Sequence, residues 1–300
     1  MLLSVIIPAY NAAKTLPESL ASVAGSHAEV IVIDDGSTDQ TEAVAGWVPG
    51  IRLVRQTNRG VSAARNTGIS RAAGDFIIFL DADDTVEENA LDALEALIPD
   101  CRADMVILRS FSGSSERYPW NGLFQEGVVL SKEEILRQGY LRGSVCGCAF
   151  RRSFLQDNAL DFPEGIPLSE DLVFWACCLD AGAKVQFRDI PFYQVHERPD
   201  SASRKVDGDY LMRSSLALEA AVKRISDPAL QTAVCLSIIM GMIHIAVPAG
   251  YSPSRLLAST RIPSVLPLPV AGTLRNKLYA RLLNASFPLF FRLKQFRDLC

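Results

Sequence analysis

Phe76-Ile77-Ile78-Phe79-Leu80-Asp81-Ala82-Asp83-Asp84 decides how the rest of this 300-residue chain is read. A run of apolar residues of this length marks a strand buried on both faces, and such strands belong to parallel sheets covered by helices. This one ends in a cluster of acid, Asp81, Asp83 and Asp84. Asp81 and Asp83 stand two positions apart, so in an extended chain their side chains share one face. Carboxylates held that closely disfavour each other's ionisation unless a cation lies between them, and a divalent metal ion is the simplest resolution. The plainer alternative is a strand end whose acids cap a helix near Glu87.

Upstream the same unit recurs. Leu3 to Pro8 reads as a strand, and Thr15-Leu16-Pro17-Glu18 as a capping box opening a helix that packs through Leu16, Leu20 and Val23. Val30 to Ile33 is a second strand ending in acid, Asp34-Asp35, followed by Gly36 and a second capping box from Ser37 to Gln40. Ile51 to Val54 is a third strand, Asn58-Arg59-Gly60 a turn, Val61 to Arg71 a helix, and Gly74 a stop before Phe76. Strand and helix in alternation predict an α/β fold, a Rossmann-like, mostly parallel sheet with helices on both faces. Ligands of such sheets bind beyond the carboxyl ends of the strands, where Tyr10, Asn11, Asp34, Asp35, Asp81 and Asp83 fall. Neither G-x-G-x-x-G after the first strand nor G-x-x-x-x-G-K-[ST] occurs, so phosphate would have to be held by metal and side chains.

Downstream, a helix over Leu91 to Leu97 precedes a less regular segment from Met105 to about Leu160, with a loop at Tyr118 to Gly122. Ser169 or an acid caps a core helix that starts with Glu170 and Asp171. Val185 to Phe187 and Phe192 to Val195 read as two short strands, the second closed by His196. From Asp209 the pattern is helical, Tyr210 to Ile225 and Pro228 to Val247. The apolar part of the latter, Cys235 to Val247, is too short to span a bilayer and reads as a buried hairpin helix. A Pro-rich connector from Arg261 to Gly272 leads to Leu274 to Phe296, which mixes Leu and Phe with Arg and Lys as interfacial helices do.

The hydrophobic content of 49% is ample for a core. Met1 leads straight into apolar residues with no basic start or small-residue cleavage site, so a first strand rather than a secretory leader is expected. Seven cysteines, odd in number and irregularly spaced, suit a reduced, cytoplasmic chain. Cys146-Gly147-Cys148 and Cys177-Cys178 have no His at ligand spacing and read as buried thiols rather than zinc ligands. The net charge of −4 divides unevenly: residues 251–300 hold eight Lys and Arg against Asp298, a local +7 that leaves −11 on the rest. An acidic body argues against nucleic acid as a partner, and a basic, apolar tail raises an anionic membrane surface, or docking on the acidic body.

Taken together these motifs resemble the family 2 glycosyltransferases of the GT-A fold. The matching pieces are Ser4 to Asn11, Val32 to Asp39, Asn58-Arg59-Gly60 with Ala63 to Gly68, Asp81-Ala82-Asp83, and Glu170-Asp171, in order over residues 1 to about 203. The resemblance implies a catalytic domain over 1–208, with a donor half to about 110 and an acceptor half from about 111, and a helical extension over 209–300. It implies a nucleotide-diphosphate-sugar donor, most directly a UDP-sugar, contacted by Pro8, Ala9, Tyr10, Asn11, Asp35, Asn58, Gly60, Arg65, Asp81 and Ala82. Asp83, with Asp81, would hold Mn²⁺ or Mg²⁺, and His196 is a further ligand candidate. Many relatives carry Arg at the position of His196 and His at that of Arg198. Asp171, beside Glu170, would be the general base of an inverting transfer to a hydroxyl of a glycan or lipid-linked acceptor. Cell-surface polysaccharide or lipopolysaccharide synthesis, by a cytoplasmic enzyme with peripheral contact at the inner face of the cytoplasmic membrane, fits that chemistry. The alternatives are a catalytically degenerate nucleotide-sugar-binding scaffold and a sugar nucleotidylyltransferase, which should carry a Gly-rich basic loop where Pro8-Ala9-Tyr10-Asn11 stands.

Overall fold

The computed structural model describes residues 3–120, 122–197 and 209–291. In chain order, its elements to the middle of the chain are β1 (Leu3–Ala9), α1 (Leu16–Val23), β2 (Glu29–Asp34), α2 (Thr41–Gly46), β3 (Ile51–Arg55), α3 (Val61–Arg71), β4 (Phe76–Phe79), β5 (Thr85–Val86), α4 (Ala90–Leu97), β6 (Met105–Ser112), β7 (Ser115–Arg117) and β8 (Val129–Leu130). Then follow α5 (Lys132–Arg137), β9 (Cys148–Arg151), α6 (Arg152–Asp157), α7 (Glu170–Asp180), β10 (Val185–Val195), α8 (Tyr210–Arg224), α9 (Pro228–Ala246), α10 (Pro253–Ala258), α11 (Ile262–Val265) and α12 (Leu274–Ala285). The described residues form two compact units, one lying within Met1–Lys132, Ser144–Gly165 and Ala181–Arg198, the other within Glu133–Gly143, Ile166–Asp180 and Pro199–Cys300.

The first unit is built on a mixed sheet in the order β3-β2-β1-β4-β9-β6-β10-β5, with β7 on β6 and β8 on β10. β3, β2, β1 and β4 are mutually parallel, as their apolar runs require. Leu3, Val5, Ile7 and Ala9 of β1 share a core with Leu16, Leu20 and Val23 of α1 and with Leu91 and Leu94 of α4. The alternate residue Ile6 meets α3 on the opposite face, where a Cβ on Gly68 would lie 2.3 Å from Ile6 Cγ2. Helices therefore cover both faces, and Gly68 is what lets α3 approach this closely. Phe76 to Phe79 are fully buried. Each contributes roughly 1.5–3 kcal/mol over an exposed side chain.

Several expectations are corrected. The segment from Met105 holds more regular structure than expected: β6 and β9 continue the sheet, β9 running antiparallel between β4 and β6, while loops separate the elements, one of them starting at Tyr118 as expected. The two short strands expected near residues 185 and 192 are one strand, β10, parallel to β6 with register shifts between Phe187, Pro191 and Tyr193. Pro191 lacks the N–H that regular pairing needs. Neither capping box forms. Thr15 donates its hydroxyl to Ala12 O (3.3 Å), and Ser37 accepts the N–H of Asn11 (2.9 Å), while α2 begins only at Thr41, whose N–H is taken by Asp39 Oδ1 (2.9 Å).

In the second unit α7 is buried from Asp171 to Leu179, with Tyr140 against Trp175 (ring centroids 6.3 Å apart). Asp180 fixes the turn between α8 and α9, accepting the N–H groups of Ser226 (2.6 Å) and Asp227 (3.1 Å). Asp227 in turn caps α9 through the N–H groups of Ala229 and Leu230. α9 has 19 residues and, by length and composition, is long and apolar enough to cross a membrane, because it starts at Pro228 and so extends beyond the Cys235 to Val247 segment that is too short alone. Its buried residues start at Leu230 and include Thr232, whose hydroxyl lies 2.7 Å from both Pro228 O and Pro269 O. Most of its length is buried within the protein. The connector from Arg261 includes the short α11, and α12 ends at Ala285; the chain is helical again over 287–291, and the rest of the expected span to Phe296 lies outside the described residues. Arg198, Ser203, Arg292, Lys294, Phe296, Arg297 and Asp298 lie outside the described residues.

Candidate active site

At the end of β4 the chain stops being extended. The N–H of Asp84 donates to Asp81 O (3.1 Å), closing a turn, so the expectation that Asp81 and Asp83 share a strand face gives way to a different arrangement. Asp81 and Asp84 both meet Tyr193 of β10: its phenol accepts the N–H of Asp81 (3.1 Å) and donates to Asp84 Oδ2 (2.8 Å). Asp84 Oδ1 accepts the N–H of His196 (2.9 Å), and Ser19 of α1 donates to Asp84 O (2.6 Å). His196 Nε2 and Thr85 Oγ1 share a hydrogen bond of 2.9 Å. Ala82 is buried and Asp83 half-buried.

The Asp81 carboxylate is clamped from two sides. The buried guanidinium of Arg65 donates to Oδ1 (2.9 Å), and Cys146 Sγ lies 3.5 Å from Oδ2. Arg65 also lies over the Phe162 ring, 5.2 Å from its centroid. Burial, and next the charge of Asp81, push the Asp84 carboxyl up to about 7, against the hydrogen bonds from His196 and Tyr193. Burial raises the Tyr193 phenol well above its ordinary range, and the nearby Cys146, Asp81 and Asp84 act in the same direction. At neutral pH the phenol therefore keeps the proton it gives to Asp84.

A second cradle lies at the end of β2. Asp35 is buried, and its Oδ1 accepts from Gln56 Nε2 (2.7 Å) and the N–H of Arg59 (3.0 Å) while Oδ2 accepts the N–H of Gly60 (2.8 Å). Gln56 is oriented by Thr67, whose hydroxyl donates to its Oε1 (2.6 Å). Gly36 lets the strands close, since a Cβ there would lie 2.8 Å from Asn58 N. At the end of β1, after Pro8 and Ala9, the Tyr10 side chain is half exposed, and Asn11 is tied to the next loop through Ser37 and the N–H of Thr38 (2.8 Å). One helix joins the two cradles: α3 begins at Gly60, held by Asp35, and carries Arg65, which holds Asp81.

Glu170 and Asp171 occupy the first turn of α7, as expected, in the second unit, and Asp171 is buried. Sequence reasoning missed Gln56, Thr67, Ser19, Asp84 as a keystone, Tyr193 and Cys146. The last two were visible only as a strand residue and as half of a cysteine pair.

The model of the family described as Glycosyl transferase family 2 matches residues 4–158. The succinoglycan biosynthesis protein ExoO of Rhizobium meliloti (strain 1021) is 34% identical over 240 residues, covering 73% of this chain and 67% of that protein. A poly(ribitol-phosphate) beta-N-acetylglucosaminyltransferase, TarS of Staphylococcus aureus (strain Mu50 / ATCC 700699), is 29% identical over 209 residues, covering 66% of this chain and 36% of that one. The crystal structure of S. aureus TarS 1-349 with UDP-GlcNAc superposes with a TM-score of 0.71 at 20% identity, over 99% of this chain and 92% of that one. A mannosyltransferase from Pyrobaculum calidifontis, in complex with GDP-Man and Mn²⁺, gives 0.54 at 20% identity, over 99% of this chain and 87% of that one. At that identity these structures speak for the fold.

Proposed function

The chain belongs to glycosyltransferase family 2, and from that premise we propose that it moves a sugar from a UDP-sugar to a hydroxyl of a glycan or lipid-linked acceptor, with inversion. The observation that carries the reading is α3 holding Asp35 at its N-cap, Gly60, and Asp81 from Arg65 further along the same helix, two carboxylates from separate strand ends braced by one rigid element. In this reading Asp35, Pro8, Ala9, Tyr10 and Asn11 receive the base and ribose, with Asn58 and Gly60 at the rim. Tyr10 offers an exposed ring for stacking. Arg65 and the Ala82 turn set the Asp81 carboxylate toward the ribose and diphosphate. UDP-GlcNAc bound to TarS, a protein of the same fold, supports the choice of uridine.

The donor set suits a hard divalent ion. Among the described residues no group of three His, Cys, Asp or Glu could hold a metal alone. Two carboxylates with diphosphate and water completing the shell is the usual arrangement for Mg²⁺ and suits Mn²⁺ as well. Asp83 and Asp81 would hold that ion, which would neutralise the departing diphosphate. His196, whose Nε2 is engaged by Thr85, is the remaining ligand candidate.

Asp171, with Glu170 beside it, removes the proton of the acceptor hydroxyl as its oxygen bonds to the anomeric carbon. The bond to the diphosphate oxygen breaks on the opposite face and UDP leaves. The catalytic domain is taken as residues 1–208. Cell-surface polysaccharide or lipopolysaccharide assembly is the process we favour, in keeping with likeness to a succinoglycan biosynthesis protein. A cytoplasmic enzyme resting on the inner membrane face through 251–300 would meet such acceptors. Calorimetric titration of UDP with and without Mn²⁺, on wild type and Asp83→Asn, tests the donor half. Metal-dependent binding lost in the variant is expected, and a wild type that binds no nucleotide overturns it. For the base, Asp171→Asn should bind UDP normally and lose transfer by about 10²-fold or more.

A further inference from the structure

We infer that Cys146 is a positioning residue for Asp81, a role that rests on the donor-site reading above. The thiol meets Asp81 Oδ2 at 3.5 Å, opposite the Arg65 contact on Oδ1. A carboxylate only accepts, so the S–H is the donor. Arg65 alone fixes one oxygen and leaves the carboxylate free to turn about it. A second donor on the other oxygen removes that freedom. Asp81 needs the restraint because its side chain is about one-third exposed and shares its turn with Asp83 and Asp84.

The thiol can serve because its own backbone is immobile. The N–H of Cys146 donates to Ser144 Oγ (3.1 Å), and its carbonyl accepts from Ser110 Oγ on β6 (3.3 Å). The next residue is tied in as well, since Leu108 N–H donates to Gly147 O (2.9 Å). Cys146 is 5% exposed and belongs to the apolar core on the α1 side of the sheet. Its carbon thus faces core, and its polar tip faces the Asp81 carboxylate and, beside it, the Tyr193 phenol. Tyr193 completes the arrangement by taking the Asp81 N–H, so backbone and side chain of one residue are held from β10 and from the loop before β9. A buried cysteine is commonly a small hydrophobe, and packing alone would be served equally by Ala or Val.

The test compares Cys146→Ser, which keeps a donor, with Cys146→Ala, which does not, and measures UDP affinity by calorimetry beside thermal stability. Cys146→Ala should weaken UDP binding roughly fivefold, the weight of one modest hydrogen bond, with its melting temperature little changed. Cys146→Ser should bind within about twofold of wild type. Wild-type affinity in Cys146→Ala, or equal loss in both variants, overturns the proposal. A second readout needs no nucleotide: the S–H stretching band, isolated as the wild type minus Cys146→Ser infrared difference, should lie at a hydrogen-bonded frequency and shift in Asp81→Asn. If wild type binds no nucleotide, the donor reading fails while this band still decides the contact. An unshifted band overturns it.

Discussion

Asp35→Asn probes the cradle at the end of β2 most directly. The wild-type carboxylate accepts from Gln56, Arg59 and Gly60, two of these donors being backbone N–H groups at the start of α3. Asparagine is nearly isosteric and has one acceptor oxygen. If that oxygen takes the place of Oδ1, the amide NH₂ confronts the N–H of Gly60. If it takes the place of Oδ2, the NH₂ confronts Arg59 N–H, and Gln56 must give up Thr67 in order to flip. Either way one charge-assisted bond is lost and a buried donor is left without an acceptor, a cost of roughly 2–4 kcal/mol. In a thermal melt this is a fall of about 5–10 °C. UDP affinity should drop as well, because the start of α3 sets Arg65 and thereby Asp81. Arg59→Ala is the control: it keeps the backbone N–H and loses only the exposed, solvent-screened pair with Glu164. An Asp35→Asn melt within about 1 °C of wild type, or one matched by Arg59→Ala, would refute the idea that this carboxylate organises the turn.

Other outcomes follow from the same geometry. Gly68→Ala should destabilise by about 1–3 kcal/mol, since the new methyl meets Ile6 of β1; chemical denaturation followed by circular dichroism checks it. Because the Asp84 carboxyl is raised from 3.8 to about 7, folding favours its protonated form, so its contribution is full below pH 4 and is lost as pH rises to about 7. Asp84→Asn should flatten that decline, by at most about 4 kcal/mol, in melts taken from pH 4 to 8; parallel curves would contradict the assignment. On α12 Leu274 and Leu278 are exposed one turn apart, beside Arg275, Lys277 and Arg281. Leu274→Glu/Leu278→Glu should abolish co-sedimentation with phosphatidylglycerol-containing vesicles, and unchanged sedimentation would remove α12 from any membrane contact.

How much of this could be read from sequence depended on the range of the interaction. Helix α3 was legible to the residue, and β1 to β4 nearly so, because unbroken apolar runs and the glycines that punctuate them are local signals. β9 was missed because Cys148-Ala149-Phe150-Arg151 is too short to carry a pattern, and its strand character comes from lying between β4 and β6. The capping boxes failed for the converse reason. Ser37 matches a local template, but its hydroxyl takes the N–H of Asn11, 26 residues away. Tyr193 reaches Asp81 across 112 residues, and no spacing rule anticipates such a contact. The acids of the site were thus visible in advance, while the neutral residues that aim them were not.

That difference bears on how an anionic donor could be held at all. The arginines described around the carboxyl edge of the sheet already face acids: Arg65 with Asp81, Arg59 with Glu164, and Arg55 with Glu42 and Asp34. A diphosphate recruiting one of them would strip a carboxylate of its partner, and Arg65 could not leave without exposing a buried charge. Two like charges about 4 Å apart cost about 4 kcal/mol at the effective dielectric of a protein surface, so the acidic turn would repel a bare diphosphate. On the proposed reading, the compensating charge must therefore arrive with the nucleotide. A metal–nucleotide complex presents a cation to the same carboxylates that would reject the free anion. Discrimination between the two then falls to how firmly Asp81 and Asp83 are held in place, which gives the uncharged contacts from Tyr193 and Cys146 their weight.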